Sequence, residues 1–305
     1  MEVGSDASRR TDSATLGAFL GMCVVAGGNV VAIRYLVADQ DLAPLWTAAV
    51  RFFFAAAIFA IIAAVRRAPF PRGKALTGAL LYGALGFGGF FGFGYWGLRD
   101  APAAAGGVIL ATGPLLTFLL ALAHGIERFR WSGLFAAAVV VGGTAVVVSE
   151  GLDQGVPFGS LLAILAAAAC GAEAAIVIKR SPPVHPAMMN AIGMGVATLI
   201  LLILTVVYDE SYALPETGLA WTAQAYLVIA GSVGVFVLYL FVLGRWTASA
   251  VSYEFVLIPL VGVVLAAWLL DEEITGTFAI GSVLVLIGVY FGALRRGGDR
   301  NPQEA

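Results

Sequence analysis

The feature that most constrains this chain is a succession of apolar runs, each about one bilayer crossing long, joined by short polar segments. A helix needs roughly 20 apolar residues to cross the hydrocarbon of a membrane. Ten runs reach about that length, at approximately 15–37, 43–65, 76–98, 102–123, 131–149, 157–178, 186–207, 219–243, 248–270 and 277–295. Lipid offers backbone amides no partner, so each run is expected to be a helix. The alternating pattern of a membrane barrel is absent. Only 12% of the residues are charged, where a soluble domain carries roughly a quarter. The expected fold class is therefore all-α integral membrane, with ten transmembrane helices. The first run follows a polar stretch but lacks a clear cleavage site, so it reads as a retained helix. Cys23 and Cys170 both sit inside apolar runs, which suggests neither a disulfide framework nor a metal site.

The basic residues orient the chain. With the N-terminus in the cytoplasm, 14 of the 17 Lys and Arg residues fall in cytoplasmic segments. The outer loops then hold only Arg99, and Arg34 and Arg51 lie inside spans. Asp39, Asp41, Glu150, Asp153, Asp209, Glu210 and Glu216 fall outside. The positive-inside rule thus selects a cytoplasmic N-terminus and a cytoplasmic C-terminus.

One stretch is used twice. Residues 103–127 read AAAGGVILATGPLLTFLLALAHGIE, and residues 248–272 read ASAVSYEFVLIPLVGVVLAAWLLDE. Shifting the chain by 145 residues places Ala103 on Ala248, Ala105 on Ala250 and Pro114 on Pro259. The same shift places Leu115 on Leu260, Glu127 on Glu272 and Gly143 on Gly288. Ten spans and one duplication give five spans per repeat, and five is odd, so the second repeat enters the membrane inverted. The expected domains are a cytoplasmic tail at 1–14, repeats at 15–149 and 150–295, and a second cytoplasmic tail at 296–305. Inverted repeats are a recurrent plan of secondary transporters.

With these features in place, the sequence resembles the drug/metabolite transporter superfamily, specifically its EamA-type ten-helix exporters. The resemblance is carried by the inverted five-helix repeats and the Pro-then-Glu signature in the fourth helix of each. Asn29 and Arg34 in the first helix, and Pro44 followed by Arg51-Phe52 in the second, fit the same pattern. So do Leu98-Arg99 before Ala103 and Gly244-Arg245 before Ala248. Glu173 and Glu254 depart from it, being acids where the family is usually apolar or uncharged. Arg51 has no basic counterpart in the seventh helix. The resemblance implies an inner-membrane exporter of a small metabolite, with amino acids and their derivatives leading.

Ionisable residues inside a membrane are costly and normally face the bundle interior. Glu254 lies about 9 Å from the cytoplasmic face and Glu173 about 8 Å, counted at the helical rise. A carboxylate taken out of water must be neutralised by a proton or a cation, and it can trade one for the other. Both acids are therefore candidates for a substrate or proton site. Glu173 has a plainer reading as a snorkelling acid paired with Lys179 or Arg180. Arg51, about 12 Å from the outer face, could bind a substrate carboxylate or clamp a neighbouring helix. Asn29, Tyr82, Tyr95, Asn190, Tyr239 and Tyr253 complete the polar candidates, each also able to serve as a helix–helix hydrogen bond. Pro114 and Pro259 are expected to bend their helices.

No HExxH, no phosphate-binding glycine loop and no membrane-embedded histidine occurs, so an enzyme or a built-in ATPase is disfavoured. No cofactor is expected. The expected partners are a small-molecule substrate and the lipid bilayer, with a homodimer left open and no nucleic acid. Two rivals stand beside metabolite export. One is proton-coupled efflux of lipophilic cations or drugs. The other, of another class, is a non-transporting membrane sensor or an intramembrane enzyme.

Overall fold

The computed structural model describes residues 3–100, 109–147, 157–270 and 276–290. Ala103, Ala105, Glu150, Asp153, Glu272 and the 296–305 tail lie outside the described residues. Among the described residues the structure is all-helical. The helices are α1 (Val3–Arg34), α2 (Pro44–Val65), α3 (Lys74–Tyr82), α4 (Phe90–Asp100), α5 (Gly113–Ala123), α6 (Trp131–Val147) and α7 (Phe158–Arg180). They continue as α8 (Pro186–Val207), α9 (Gly218–Val228), α10 (Val235–Leu243), α11 (Ala248–Val251), α12 (Glu254–Leu270) and α13 (Gly276–Val289). Helix α1 reaches back to Val3, past the expected boundary at residue 15.

Seven helical stretches are long and apolar enough by themselves to cross a membrane: 13–37, 44–65, 74–97, 158–180, 186–207, 218–243 and 248–265. Shorter apolar helices span Gly113–Ala123 and Gly133–Val146. The chain is thus a multi-pass membrane protein. Its surface agrees, since large apolar side chains such as Ile61, Leu199, Ile203 and Trp268 stand exposed around the bundle. In water such a surface would be an aggregation liability, whereas lipid covers it at no cost.

Two of the long stretches are not uniform. A π-helical segment, Gly83–Gly89, joins α3 to α4, and another, Ile229–Gly234, joins α9 to α10. The positions 84–89 and 229–234 differ by the same 145 residues as the sequence repeat. Gly86 and Gly89 correspond to Gly231 and Gly234. Each extra residue per turn displaces the hydrogen-bond ladder and exposes carbonyls that must find other donors.

The packing recurs at the same offset. Helix α2 lies against α8, α6 against α13, α1 against α12, and α5 against α7. Gly143 meets the Val285 backbone, and Gly288 meets Val140. A Cβ at Gly143 would stand 2.9 Å from the Val285 nitrogen and 3.1 Å from the Gly281 oxygen. At Gly288 it would stand 2.5 Å from a Val140 methyl and 3.1 Å from the Ala136 oxygen. Small residues here let two backbones touch, the usual source of helix affinity in lipid.

Two ends can be distinguished. Gly78 packs on Ser181, His124 contacts Arg180, and Glu127 contacts Ser249 at the end carrying most Lys and Arg, the basic end. Glu210 meets Leu45 and Trp46, and Gln40 meets Thr217, at the other, acidic end.

Substituting valine at Gly143 or Gly288 should separate α6 from α13. Overpacking of this kind costs about 1–3 kcal/mol. Thermal unfolding in detergent should show both variants melting below the parent, with little further loss in the double variant because one interface is lost once.

Candidate functional site

Helix α9 gives way to the π segment 229–234 beside α1 and α2. The Gly231 carbonyl accepts from Asn29 Nδ2 at 3.1 Å and from Arg51 Nη2 at 2.8 Å. Arg51 Nε donates to Ser232 Oγ at 2.7 Å, and Ser232 Oγ donates to the Leu227 carbonyl at 2.9 Å. Gly231 is the residue that permits this, because a Cβ there would collide with the Asn29 amide. Arg51 is buried. Its charge is spread over two hydrogen bonds and lies within electrostatic reach of Tyr95 and Tyr226. Three elements are thereby joined through one carbonyl. The Asn29 Oδ1 is buried and has no hydrogen-bond donor among the described residues.

The second cluster lies toward the basic end. Helix α11 stops after one turn, Ser252 and Tyr253 form a break, and Glu254 opens α12. A carboxylate suits the first turn of a 17-residue helix, where unpaired amides concentrate positive potential. Glu254 is nevertheless only 9% exposed. No Lys or Arg among the described residues forms an ion pair with it. Its charge instead reaches the buried Tyr82, Tyr239 and Cys23. Tyr82 donates to Asn190 Oδ1 at 3.3 Å, and Asn190 Nδ2 donates to the Phe236 carbonyl at 3.4 Å. Aromatic rings enclose this network. Phe87 lies with its centroid 4.6 Å from Phe236, 5.1 Å from Tyr82 and 5.1 Å from Phe52.

The structure thus gathers Glu254, Tyr82, Asn190 and Tyr239 in one place and Asn29, Arg51 and Tyr95 in another. Tyr253 is buried in the break beside Glu254. Glu173 belongs to neither cluster. Its carboxylate is 3.2 Å from His124 Nε2, and His124 Nδ1 is 2.8 Å from Arg180 Nη1. The acid therefore reaches Arg180 through a histidine bridge. Pro259 lies inside α12, whereas Pro114 stands in the first turn of α5, after a turn at Ala111–Thr112. A first-turn proline removes an amide that had no helical acceptor, so Pro114 starts a helix rather than kinking one.

Sequence reasoning gave no site role to Ser232, Cys23 or His124. It also passed over the roles of Glu127 and Glu210. Glu210 Oε2 accepts from the amides of Leu45 at 2.9 Å and Trp46 at 3.0 Å. A signal was available, because α2 begins Ala43-Pro44 with no capping side chain of its own. Asp209, in the left-handed region at φ 52°, turns the chain back so that Glu210 can reach α2.

A family comparison decides what this arrangement belongs to. The EamA-like transporter family matches the chain twice, over residues 14–149 and 157–293. The chain belongs to the EamA-like transporter family. A protein of Escherichia coli K12 described as a "probable amino-acid metabolite efflux pump" is 28% identical over 279 residues, covering 88% of this chain and 90% of that protein. A Salmonella typhimurium LT2 protein of the same description is 27% identical, over 89% of this chain and 93% of its own. A Streptantibioticus cattleyicolor protein described as a "probable terminal-alkyne amino-acid exporter" is 28% identical, over 84% of this chain and 83% of its own. A crystal structure superposes with a TM-score of 0.76 at 19% identity, covering 93% of this chain and 98% of the other, which speaks to the fold. The EamA-type chain is accordingly a transporter by family, embedded in a membrane and related to small-metabolite exporters.

Burial raises the Glu210 carboxyl above its ordinary range, although the amides of Trp46 and Leu45 pull it back down. A raised folded-state value means that the folded protein holds the proton more tightly than the unfolded chain. Its contribution to stability is therefore greatest at low pH and is lost as pH rises through the carboxylate range. Glu210→Gln keeps one acceptor oxygen and removes the ionisation. Thermal unfolding between about pH 4 and pH 7 should show a flatter pH dependence for this variant than for the parent.

Proposed function

We propose that this EamA-type chain is a secondary transporter exporting small amine-bearing metabolites, amino acids and their derivatives foremost, by alternating access. The observation that carries the reading is Glu254, a buried carboxylate among Tyr82, Tyr239 and Cys23 without a basic partner among the described residues. A charge so placed requires a cation or a proton. An ammonium group satisfies the carboxylate, tyrosine hydroxyls supply hydrogen bonds, and ring faces attract the positive charge. Substrate and proton would then compete for one site, so that a proton entering from outside releases the substrate outward. The relatives described as amino-acid exporters support this substrate class. Arg51, held by Gly231 and Ser232, acts in this reading as a clamp on the π segment and not as a carboxylate receptor. Efflux of lipophilic cations is the second reading, favoured by the aromatic wall of Phe87 and Phe236.

The proposed architecture is ten crossings in two inverted five-helix repeats, 15–149 and 150–295, in the inner membrane with both termini cytoplasmic. Support comes from the reciprocal contacts Gly143–Val285 and Gly288–Val140, and from π segments at matched positions. The basic end is then cytoplasmic. A cysteine at Glu216 should label from outside intact cells, and one at Lys74 only after permeabilisation. The opposite pattern would reverse the orientation.

The transport test uses purified protein in sealed liposomes with an imposed pH gradient. The parent should move a zwitterionic amino acid, and its N-acetylated form, which lacks the ammonium, should move poorly. Glu254→Gln should leave folding intact and abolish the response of transport to the pH gradient. A wild-type pH profile in this variant would make the acid structural. Transport of a lipophilic cation in place of the amino acid would favour the second reading.

A further inference from the structure

A charged contact holds the start of helix α11 at the basic end, one broken turn away from Glu254. Glu127 reaches from the segment after α5 to the start of α11. Its Oε1 accepts from the Ser249 amide at 3.0 Å, and its Oε2 accepts from the Ser249 hydroxyl at 2.6 Å. Arg130 Nη2 stands 3.8 Å from Oε2, and the Glu127 side chain is only 5% exposed. The same segment is tied to α7, because His124 contacts both Glu173 and Arg180. Residues 124–127 therefore bind two helices of the other half of the chain at once. Phe19 and Trp246, with centroids 5.1 Å apart, close the neighbouring gap between α1 and the start of α11.

These contacts lie between Glu254 and the basic end. Ser249 precedes Glu254 by five residues, about 7.5 Å at the helical rise. The helix is interrupted between them by the turn at Ser252–Tyr253. A charged acceptor holding both an amide and a hydroxyl is a strong, directional contact that can be made or broken as a unit. Glu210 makes the comparable contact at the opposite end, on the start of α2.

We infer that Glu127 is the latch of the basic-end gate, which must release Ser249 before the Glu254 site meets the cytoplasm. The inference rests on the proposed path through Glu254, and its test requires no transport. Cys23 is 2% exposed, within electrostatic reach of Glu254 and on α1, which packs against α12, and it serves as an internal reporter. Full-length protein carrying Cys170→Ser is prepared in inside-out and right-side-out vesicles, and the rate of maleimide labelling at Cys23 is measured.

Glu127→Ala should speed labelling from the basic-end side about tenfold, equivalent to about 1.4 kcal/mol of gate stability. Ser249→Ala, which keeps the amide contact, should give a smaller increase. Glu127→Gln retains an acceptor for the amide and should restore most of the protection. Glu210→Ala should leave labelling from this side unchanged. An unchanged rate in Glu127→Ala overturns the inference. So does a rise from both sides of the membrane, which would report a loosened fold and not a gate. A transport failure of the amine reading alone would leave these rates untouched, so the two ideas fail separately.

Discussion

One carbonyl shows the constraint on which this structure depends. Gly231 sits where α9 slips into a π segment, and its oxygen takes hydrogen bonds from both Asn29 and Arg51. In a bilayer, a displaced backbone group cannot turn to water, so irregular backbone survives only where protein surrounds it. The helix can deviate here because two other helices supply donors. The guanidinium in turn is tolerable because its hydrogens meet a carbonyl and a hydroxyl. Removing either side would strand the other, which explains why a costly buried charge sits on α2.

The same accounting explains the acids at the two ends. Helix α2 starts without a capping side chain, and its first amides are satisfied by Glu210 from the far half of the sequence. The start of α11 is held by Glu127 from the other direction. Each half thus completes a helix start in the other half. Apolar packing in lipid gains little from burial alone, because the tails are as apolar as the side chains. Directed polar contacts can therefore decide which helix ends meet.

Seven long apolar helices were legible in the sequence because lipid imposes one rule, run length, on a crossing. The clustering of Glu254, Tyr82, Asn190 and Tyr239 was half legible. Each stands out as a polar residue in an apolar run, but nothing in a single run says which polar residues will share a wall. Glu173 illustrates the limit. By depth it resembled Glu254, yet its neighbour is His124, brought from another helix end by tertiary packing. Pro114 and Pro259 matched in sequence but differ in effect, because a proline's consequence depends on whether the turn before it is helical. The π segments were signalled only as an excess of glycine, since glycine content reports permissiveness and not the ladder the backbone adopts.

The two halves share a scaffold and differ in chemistry, and the differences fall where the function is proposed. Gly143 and Gly288 pack alike, and Gly86 and Gly231 meet residues at matched positions, Ala174 and Asn29. At the offset of 145, however, Asn29 corresponds to Ala174, Arg51 to Val196, Ser232 to Phe87 and Glu254 to Ile109. Where Asn29 faces Gly231, Ala174 faces Gly86 and offers no side-chain donor. Where Ser232 and Arg51 hold one π segment by hydrogen bonds, Phe87 holds the other by packing on Phe52, Tyr82 and Phe236. The aromatic wall thus takes Phe52, Tyr82 and Phe87 from the first half and Phe236 from the second, which also supplies the carboxylate. A site made this way is complete only when the halves are together. In the proposed alternating access, sliding one half along the other would change the surroundings of Glu254, and with them the proposed exchange of proton for ammonium.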